Sequence, residues 1–329
     1  MAREITLALT GDVMLGRGVN ETLGTVRPEE PWGDTLPLLL SADLRIINLE
    51  CAITEHRHPW SRTPKVFHFR ADPVAFEVLR VARIDACSLA NNHTLDFEER
   101  GLLDTLAYFE TADIRYAGAG RDREEATRPA FLEVPPIRVA LVAFTDNEPP
   151  FAAGPAKPGT NYLPVSMDLE VLRRVEETVG EAREAGAEIV VFSNHWGPNM
   201  VERPREAFRQ FARAVVDRGA DLYYGHSAHV FQGVEIYRGK PILYDTGDFI
   251  DDYAVDPRLR NDRSFLFLVS LEGRQLRRLE FFPVSLPYAR VELARGAERE
   301  AILDRMVGLC GEMGTTFVRH EDRLVFEPD

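Results

Sequence analysis

Residues 221–229 read DLYYGHSAH: an apolar run stops at a glycine, and two histidines three apart follow at once. Residues 188–197, EIVVFSNHWG, have the same form and end in Ser193-Asn194-His195-Trp196-Gly197. Short runs of β-branched and aromatic residues bounded by Gly, Asn or Asp read as strands. A helix-patterned stretch precedes each, at 169–185 and 206–218. In the first of these, Leu169, Leu172, Val175, Val179 and Ala182 recur at helical spacing with charges between them. Gly186 and Gly219 stand where C-terminal caps belong. Helices alternating with strands specify an α/β core. In such a core the polar endings of the strands converge on one edge, where ligands bind.

Working outward, further strands are expected at 5–10, 44–48, 86–90 and 139–145, and helices at 74–81 and 100–111. Strands at 234–237, 241–244, 265–271 and 279–283 follow without a long helix, which adds an antiparallel or mixed portion. Residues 1–283 read as one domain, and 284–329 as a C-terminal helix and short hairpin packed on it. Residues 148–164, EPPFAAGPAKPGTNYLP, are rich in Pro and Gly. They read as a long loop, either a passive surface excursion or a lid, and not as a linker.

The chain has 329 residues, 45% hydrophobic and 28% charged, with a formal net charge of −14. This is globular composition, which excludes wholesale disorder and fibrous repeats. The acidic balance gives no basic footprint for nucleic acid, so no nucleic-acid partner is expected. No apolar run approaches the ~18 residues of a membrane span, so no stable membrane insertion is expected. The opening Met1-Ala2-Arg3-Glu4 lacks the basic and apolar regions of a secretory signal, and the expected location is cytoplasmic. Cys51, Cys87 and Cys310 are widely spaced and odd in number, which argues against a disulfide framework.

The polar residues sit at strand ends. The first strand ends in Gly11-Asp12, the second in Asn48-Leu49-Glu50, the third in Asn91-Asn92-His93 with Asp96 one turn later. With the two stretches quoted at the outset, these endings would gather Asp12, Glu50, Asn92, His93, His195, His226 and His229. Of these, two carboxylates and three imidazoles are good ligands for a borderline or hard divalent metal, and Asn92 can add an amide oxygen. Singly, each ending has a plain explanation: Gly-Asp is a common turn, and Asn-Asn-His can cap a helix. Five such endings on one edge are not independent accidents. Arg17, Lys65 and Arg70 lie near these clusters and are candidates to grip a phosphate or carboxylate; the alternative for each is a plain surface charge. Residues 247–252, GDFIDD, read first as a solvated turn, and second as a specificity wall or a seat for a cationic group.

The ordered set GDVMLGRGV, NLECAIT, LANNHTLDFEERG, SNHWGPN and GHSAHVFQGVEIYRGKPILYDTGDF resembles the CapA-like branch of the calcineurin-like metallophosphoesterases, whose members are named for capsule and poly-γ-glutamate synthesis. The resemblance covers roughly residues 5–271. It implies a four-layer αββα sandwich with two facing mixed β-sheets, and two divalent metal ions at the carboxyl edge. It assigns Asp12 to the first metal, Glu50 to a bridge between both, Asn92, His195 and His226 to the second, and His229 to the first. His93 matches the histidine that assists the leaving group, and the spacing of Asp96 suits it to orient His93. Two departures stand out. The superfamily's Asp-x-His is Asp12-Val13-Met14 here, and the bridging carboxylate is Glu50 where most phosphoesterases have Asp.

Mn, Fe or Zn fit such a donor set, and two such ions activate water near neutral pH. Three functions compete. One is a metal-dependent hydrolase of a phosphoester or a glutamyl-type amide in capsule, poly-γ-glutamate or cell-envelope metabolism, with an anionic small-molecule or peptide/polymer substrate. Another is a metal-assisted epimerase of a peptide or amino acid, in which the same ions steady an enolate-like intermediate. The last is a non-catalytic accessory subunit of polymer synthesis or export.

Overall fold

The computed structural model describes residues 3–328; Met1, Ala2 and Asp329, at the ends of the two expected units, lie outside the described residues. The strands form two large mixed sheets. In the larger, of ten strands, Glu4–Val13 is central: it runs parallel to Leu44–Leu49 and Asp248–Ile250 and antiparallel to Arg263–Glu272. Leu44–Leu49 continues in parallel to Ala86–Ser88 and Arg115–Ala117. In the smaller, of six strands, Ile189–His195 lies parallel between Ile137–Thr145 and Leu222–His226. Ala130–Val134 and Val234–Tyr237 close its edges antiparallel. The mixed character expected from the strand-rich stretch after residue 234 is present.

Alternation along the strands explains three apolar clusters. Ile5, Leu7 and Leu9 share one cluster with Val139, Leu141, Ile189, Val191 and Leu222 of the other sheet. Ala8, Ile47 and Leu49 point the other way and pack with Leu79, Leu102, Leu106 and Phe109 from helices Ala75–Val81 and Glu98–Ala112. Val142, Phe144, Val190, Phe192 and Tyr223 pack with Val175, Val179, Phe211 and Val215 from helices Leu169–Glu184 and Glu206–Asp217. Phe192 stacks on Phe144 at 5.0 Å and on Tyr223 at 5.5 Å, so neighbouring strands are keyed by an aromatic ladder. Each such pair is worth about 0.5–1.5 kcal/mol beyond its area.

Both expected helix ends hold: Gly186 and Gly219 follow their helices with φ of +92° and +104°, the left-handed geometry that ends a helix at low cost on glycine. One expected core position does not hold. Leu169 is 85% exposed at the first helical position, and Val171 is buried in its place. The stripe starts one turn later because Leu169 precedes the part of the helix that lies on the sheet.

The 148–164 stretch is tied down along its length. Phe151 is buried, Lys157 Nζ donates to the carbonyls of Pro150 and Ala152, and Gly159–Thr160 pairs with Ala119–Gly120. Near the C-terminus, helix Gly296–Glu312 places Ile302, Leu303 and Met306 in the inter-sheet cluster. The hairpin Val318–Arg319 and Leu324–Phe326 extends the larger sheet through Gln275–Ser285. Among the described residues, no helix is long and apolar enough to cross a membrane.

Candidate metal centre

Strand register does most of the gathering. Asp12 is paired with Asn48 on one side and Asp248 on the other. In the smaller sheet His195 is paired with His226. The backbone must pass very close here: a Cβ on Gly11 would sit 2.3 Å from the Gly247 carbonyl oxygen, so the residue before Asp12 has to be glycine. The Asp12 amide donates to that same carbonyl at 2.8 Å. His229 is held with φ of +59°, strained for a non-glycine residue.

Two groups of side chains offer ligand atoms within 4.8 Å of one another: Asp12, His195 and His226, and Asp12, Glu50, His229 and Asp248. Asp12 belongs to both. Glu50 Oε1 lies 3.7 Å from His195 Nε2 and 3.9 Å from His93 Nε2, so it faces the His195 side as well. The structure therefore brings together Asp12, Glu50, His195, His226 and His229, with His93 at the edge. Asn92 adjoins them on the same turn as His93, its Oδ1 buried.

The polar accounting at this centre does not close. Asp12 Oδ2, Glu50 Oε1, Asn92 Oδ1, His195 Nε2 and Asp248 Oδ2 are all buried with no hydrogen-bond partner. A buried unpaired polar atom costs about 1–3 kcal/mol, and folded proteins rarely tolerate several together. Lone pairs from carboxylates, an amide and an imidazole, all facing inward, are what a divalent cation satisfies. The donor set fits the two-metal group that the resemblance implies.

Protonation follows from burial and charge. Burial pushes the Asp12 carboxyl well above its usual range, and the Glu50 charge adds to this. Burial likewise raises Glu50, against the charges of His229 and His93. Burial takes His226 down to about 3 and His195 well below its ordinary value, so both are neutral imidazoles ready to donate a lone pair. His229 goes the other way: burial lowers it, but the charges of Asp248, Glu50 and Asp12 outweigh burial and raise it. A concentration of buried acids held near neutral in this way is stabilised by positive charge.

Other contacts fix the ligands. Asn48 Nδ2 donates to Asp12 Oδ1 at 2.8 Å, and Tyr253 OH donates to Glu50 Oε2 at 3.0 Å. Ser193 Oγ is 2.8 Å from His226 Nε2. His229 Nδ1 is 2.8 Å from Asp248 Oδ1. Partners of this kind set the orientation and tautomer of ligating histidines.

His93 Nδ1 lies 2.6 Å from Asp96 Oδ2, and its ring stacks on Phe69 at 3.8 Å. The Phe69 amide donates to the same Asp96 oxygen at 2.6 Å, which marks the carboxylate as acceptor and puts the His93 proton on Nδ1. His93 Nε2 is then the nitrogen left without a proton, 3.9 Å from Glu50 Oε1. Burial lowers the His93 pKa well below its ordinary value, against the Glu50 charge, so the ring is neutral.

Above this centre opens a cleft of about 530 Å³, lined by Arg17, Lys65, Phe67, Asn92, His93 and Tyr253 among others. That size suits a small molecule or one segment of a polymer. Arg17 Nε is 3.3 Å from Asp252, and its guanidinium lies 5.6 Å from the Phe69 ring centroid. Lys65 reaches the cleft but is engaged by protein acceptors. Arg70 is not brought to the cleft: it donates at 2.6 Å to both the Thr54 carbonyl and Asp72, and lines a separate surface groove.

The 247–252 stretch is not a solvated turn. Asp248 is fully buried at the centre, Asp251 Oδ1 accepts the Tyr253 amide, and Asp252 accepts the Gly18 amide. Asp248 and Tyr253 are the site residues that sequence reasoning did not single out. One signal was there for Asp248: Gly247-Asp248 repeats the Gly11-Asp12 dipeptide beside which it pairs.

A family model described as bacterial capsule synthesis protein PGA_cap matches residues 6–253. The chain is similar to a Mycobacterium tuberculosis protein named "Probable polyglutamine synthesis accessory protein", 31% identical over 364 residues, covering 98% of this chain and 95% of the relative. It is also similar to the capsule biosynthesis protein CapA of Bacillus anthracis, 29% identical over 250 residues, covering 76% of this chain and 60% of the relative. The PGA biosynthesis protein CapA of Bacillus subtilis matches at 29% over 250 residues, covering 75% of this chain and 63% of the relative. The chain thus spans less than two thirds of either CapA protein.

Proposed function

The chain belongs to the PGA_cap family of bacterial capsule synthesis proteins, and on that premise we propose that it is a metal-dependent hydrolase of a phosphoester or glutamyl-type amide. The observation that carries this is the set of five buried ligand atoms without partners, directly beneath a cleft that also presents His93. Asp12, Glu50, His229 and Asp248 would hold one divalent ion, and Asp12, Asn92, His195 and His226 the other, with Glu50 facing both. When bound, such ions supply Lewis-acid chemistry and neutralise charge that builds on an anionic substrate.

The protein's own groups do the rest. Asp96 fixes His93 with its proton on Nδ1, so Nε2 takes a proton inside the cleft and returns it to a leaving oxygen or nitrogen. Positioned proton transfer of this kind contributes about 10²–10⁴-fold. Arg17, braced by Asp252 and the Phe69 ring, binds an anionic group of the substrate. Tyr253 and Asn48 keep Glu50 and Asp12 in place. The three apolar clusters support a four-layer αββα sandwich as the architecture. The docked helix and hairpin support the reading of 284–329 as part of the same unit as 1–283.

Purified protein loaded with manganese or zinc is expected to cleave a member of a panel of phosphoesters and γ-glutamyl amides, and to lose that activity on His93→Ala. No turnover across the panel with metal confirmed bound contradicts the proposal. A second reading, a non-catalytic accessory role in polymer synthesis, is favoured by the printed name of the mycobacterial relative. It predicts a bound metal with no turnover, and no effect of His93→Ala on complex formation.

A further inference from the structure

By residue type Lys65 is a candidate to grip an anionic substrate, but its ammonium is paired within the protein. Nζ donates to the Asn92 carbonyl at 2.7 Å and lies 3.3 Å from Asp96 Oδ1 and 3.5 Å from Glu148 Oε1. Asn92 and Glu148 accept hydrogen bonds from it, and Asp96 Oδ1 faces it as an ion-pair partner. The side chain is only 6% exposed, so its charge is paired with protein groups and not solvated. Nζ also sits 5.5 Å from the centroid of the buried Phe151 ring. Its partners come from the Asn92-His93 turn, from Asp96 and from the start of the 148–164 stretch.

We infer that Lys65 is a positioning residue, which locks the Asn92-His93 turn and Asp96 to the 148–164 stretch and, through Asp96, holds the His93 ring in place. The link to turnover rests on the hydrolase reading; the link to the placement of His93 does not. Asp96 Oδ1 has no hydrogen-bond partner, and Lys65 is the cation that faces it. Burial pushes the Asp96 carboxyl up to about 7, with the Lys65 charge opposing. Without Lys65 the Asn92 carbonyl and Asp96 Oδ1 lose the cation they share, and the carboxylate that holds His93 Nδ1 loses one of its two restraints.

Nitrogen NMR of the histidine side chains in the zinc-loaded full chain tests this, with the His93 signals assigned by their loss in His93→Ala. Wild type and Lys65→Arg are expected to share one sharp set of His93 signals, and Lys65→Met to shift and broaden them. Lys65→Gln provides the same comparison should Lys65→Met fail to fold by circular dichroism. On any substrate that turns over, Lys65→Met is expected to lower kcat by about 100-fold with KM unchanged and Lys65→Arg to recover part of it. His93 signals in Lys65→Met that match the wild type overturn the inference, and so does a rise in KM alone, which marks a substrate contact. If the wild type turns nothing over, the hydrolase reading fails while the NMR result still decides the role of Lys65.

Discussion

Asp12 and Asp248 sit side by side in parallel register, each the second residue of a Gly-Asp dipeptide, and each leaves one buried carboxylate oxygen without a partner. The resemblance implies a first metal lacking the histidine that Met14 replaces. Asp248 would supply a fourth side chain to that metal, alongside Asp12, Glu50 and His229. One Asp248 oxygen orients His229 and the other faces the centre.

Asp248→Asn should therefore lower the affinity of one of two metal equivalents by more than about 10-fold, since loss of even an outer partner typically costs 10–100-fold. Metal titration followed by elemental analysis checks this. Unchanged stoichiometry and affinity would remove Asp248 from the ligand set.

Arg17 and Arg70 should separate cleanly. A hydrogen bond to a charged group is worth about 1.5–3 kcal/mol, so Arg17→Ala should raise KM for an anionic substrate by about 10–100-fold with little change in kcat. Arg70→Ala should leave both alone, because its guanidinium is held by Thr54 and Asp72 away from the cleft. Steady-state kinetics on the same substrate decides it.

Much of this centre was legible in the residues. Asp12, Glu50, His195 and His226 end or immediately follow parallel strands, with Asn92 on the turn beyond Ala86–Ser88, and that topology brings strand ends together whatever lies between them. Asp248 was obscured because it begins a short strand in a stretch with two further acids, a composition that reads as solvated. Tyr253 carries no charge to draw notice, and its role depends on a hydroxyl reaching Glu50 across 203 positions of sequence. Arg70 was misplaced because residue type tells that a guanidinium will find an acceptor, but not that the nearest is Asp72. Leu169 failed for a similar reason: periodicity marks the apolar face of a helix, not the turn at which the helix meets the sheet.

Gly11→Ala should destabilise the fold and the centre together. The new methyl would meet the Gly247 carbonyl oxygen at 2.3 Å, so backbone must shift on one strand or the other. Overpacking of this sort costs about 1–3 kcal/mol, and the displaced residue is Asp12. Thermal melts with and without added metal should show a lower midpoint and a smaller metal-induced gain.

Asp221 should make stability pH-dependent at low pH. It is buried among Arg183, Lys240 and Arg274, with Lys240 Nζ at 2.8 Å. Burial alone would raise its pKa, but the Lys240 and Arg183 contacts prevail and hold it below its ordinary value. A depressed folded-state pKa means the stabilisation is whole above about pH 4, the unfolded value, and is lost as pH falls toward the folded one. Asp221→Asn should cost about 3–5 kcal/mol near neutral pH, with less acid sensitivity remaining. Urea unfolding at pH 7 and at low pH measures both.

The most direct measurement of the whole account is anomalous diffraction from crystals of the purified chain soaked in manganese or zinc. Two peaks about 3.5–4 Å apart are expected, both enclosed by Asp12, Glu50, Asn92, His195, His226, His229 and Asp248. An absence of any peak there at saturating metal, with those seven side chains left as they stand, would contradict it.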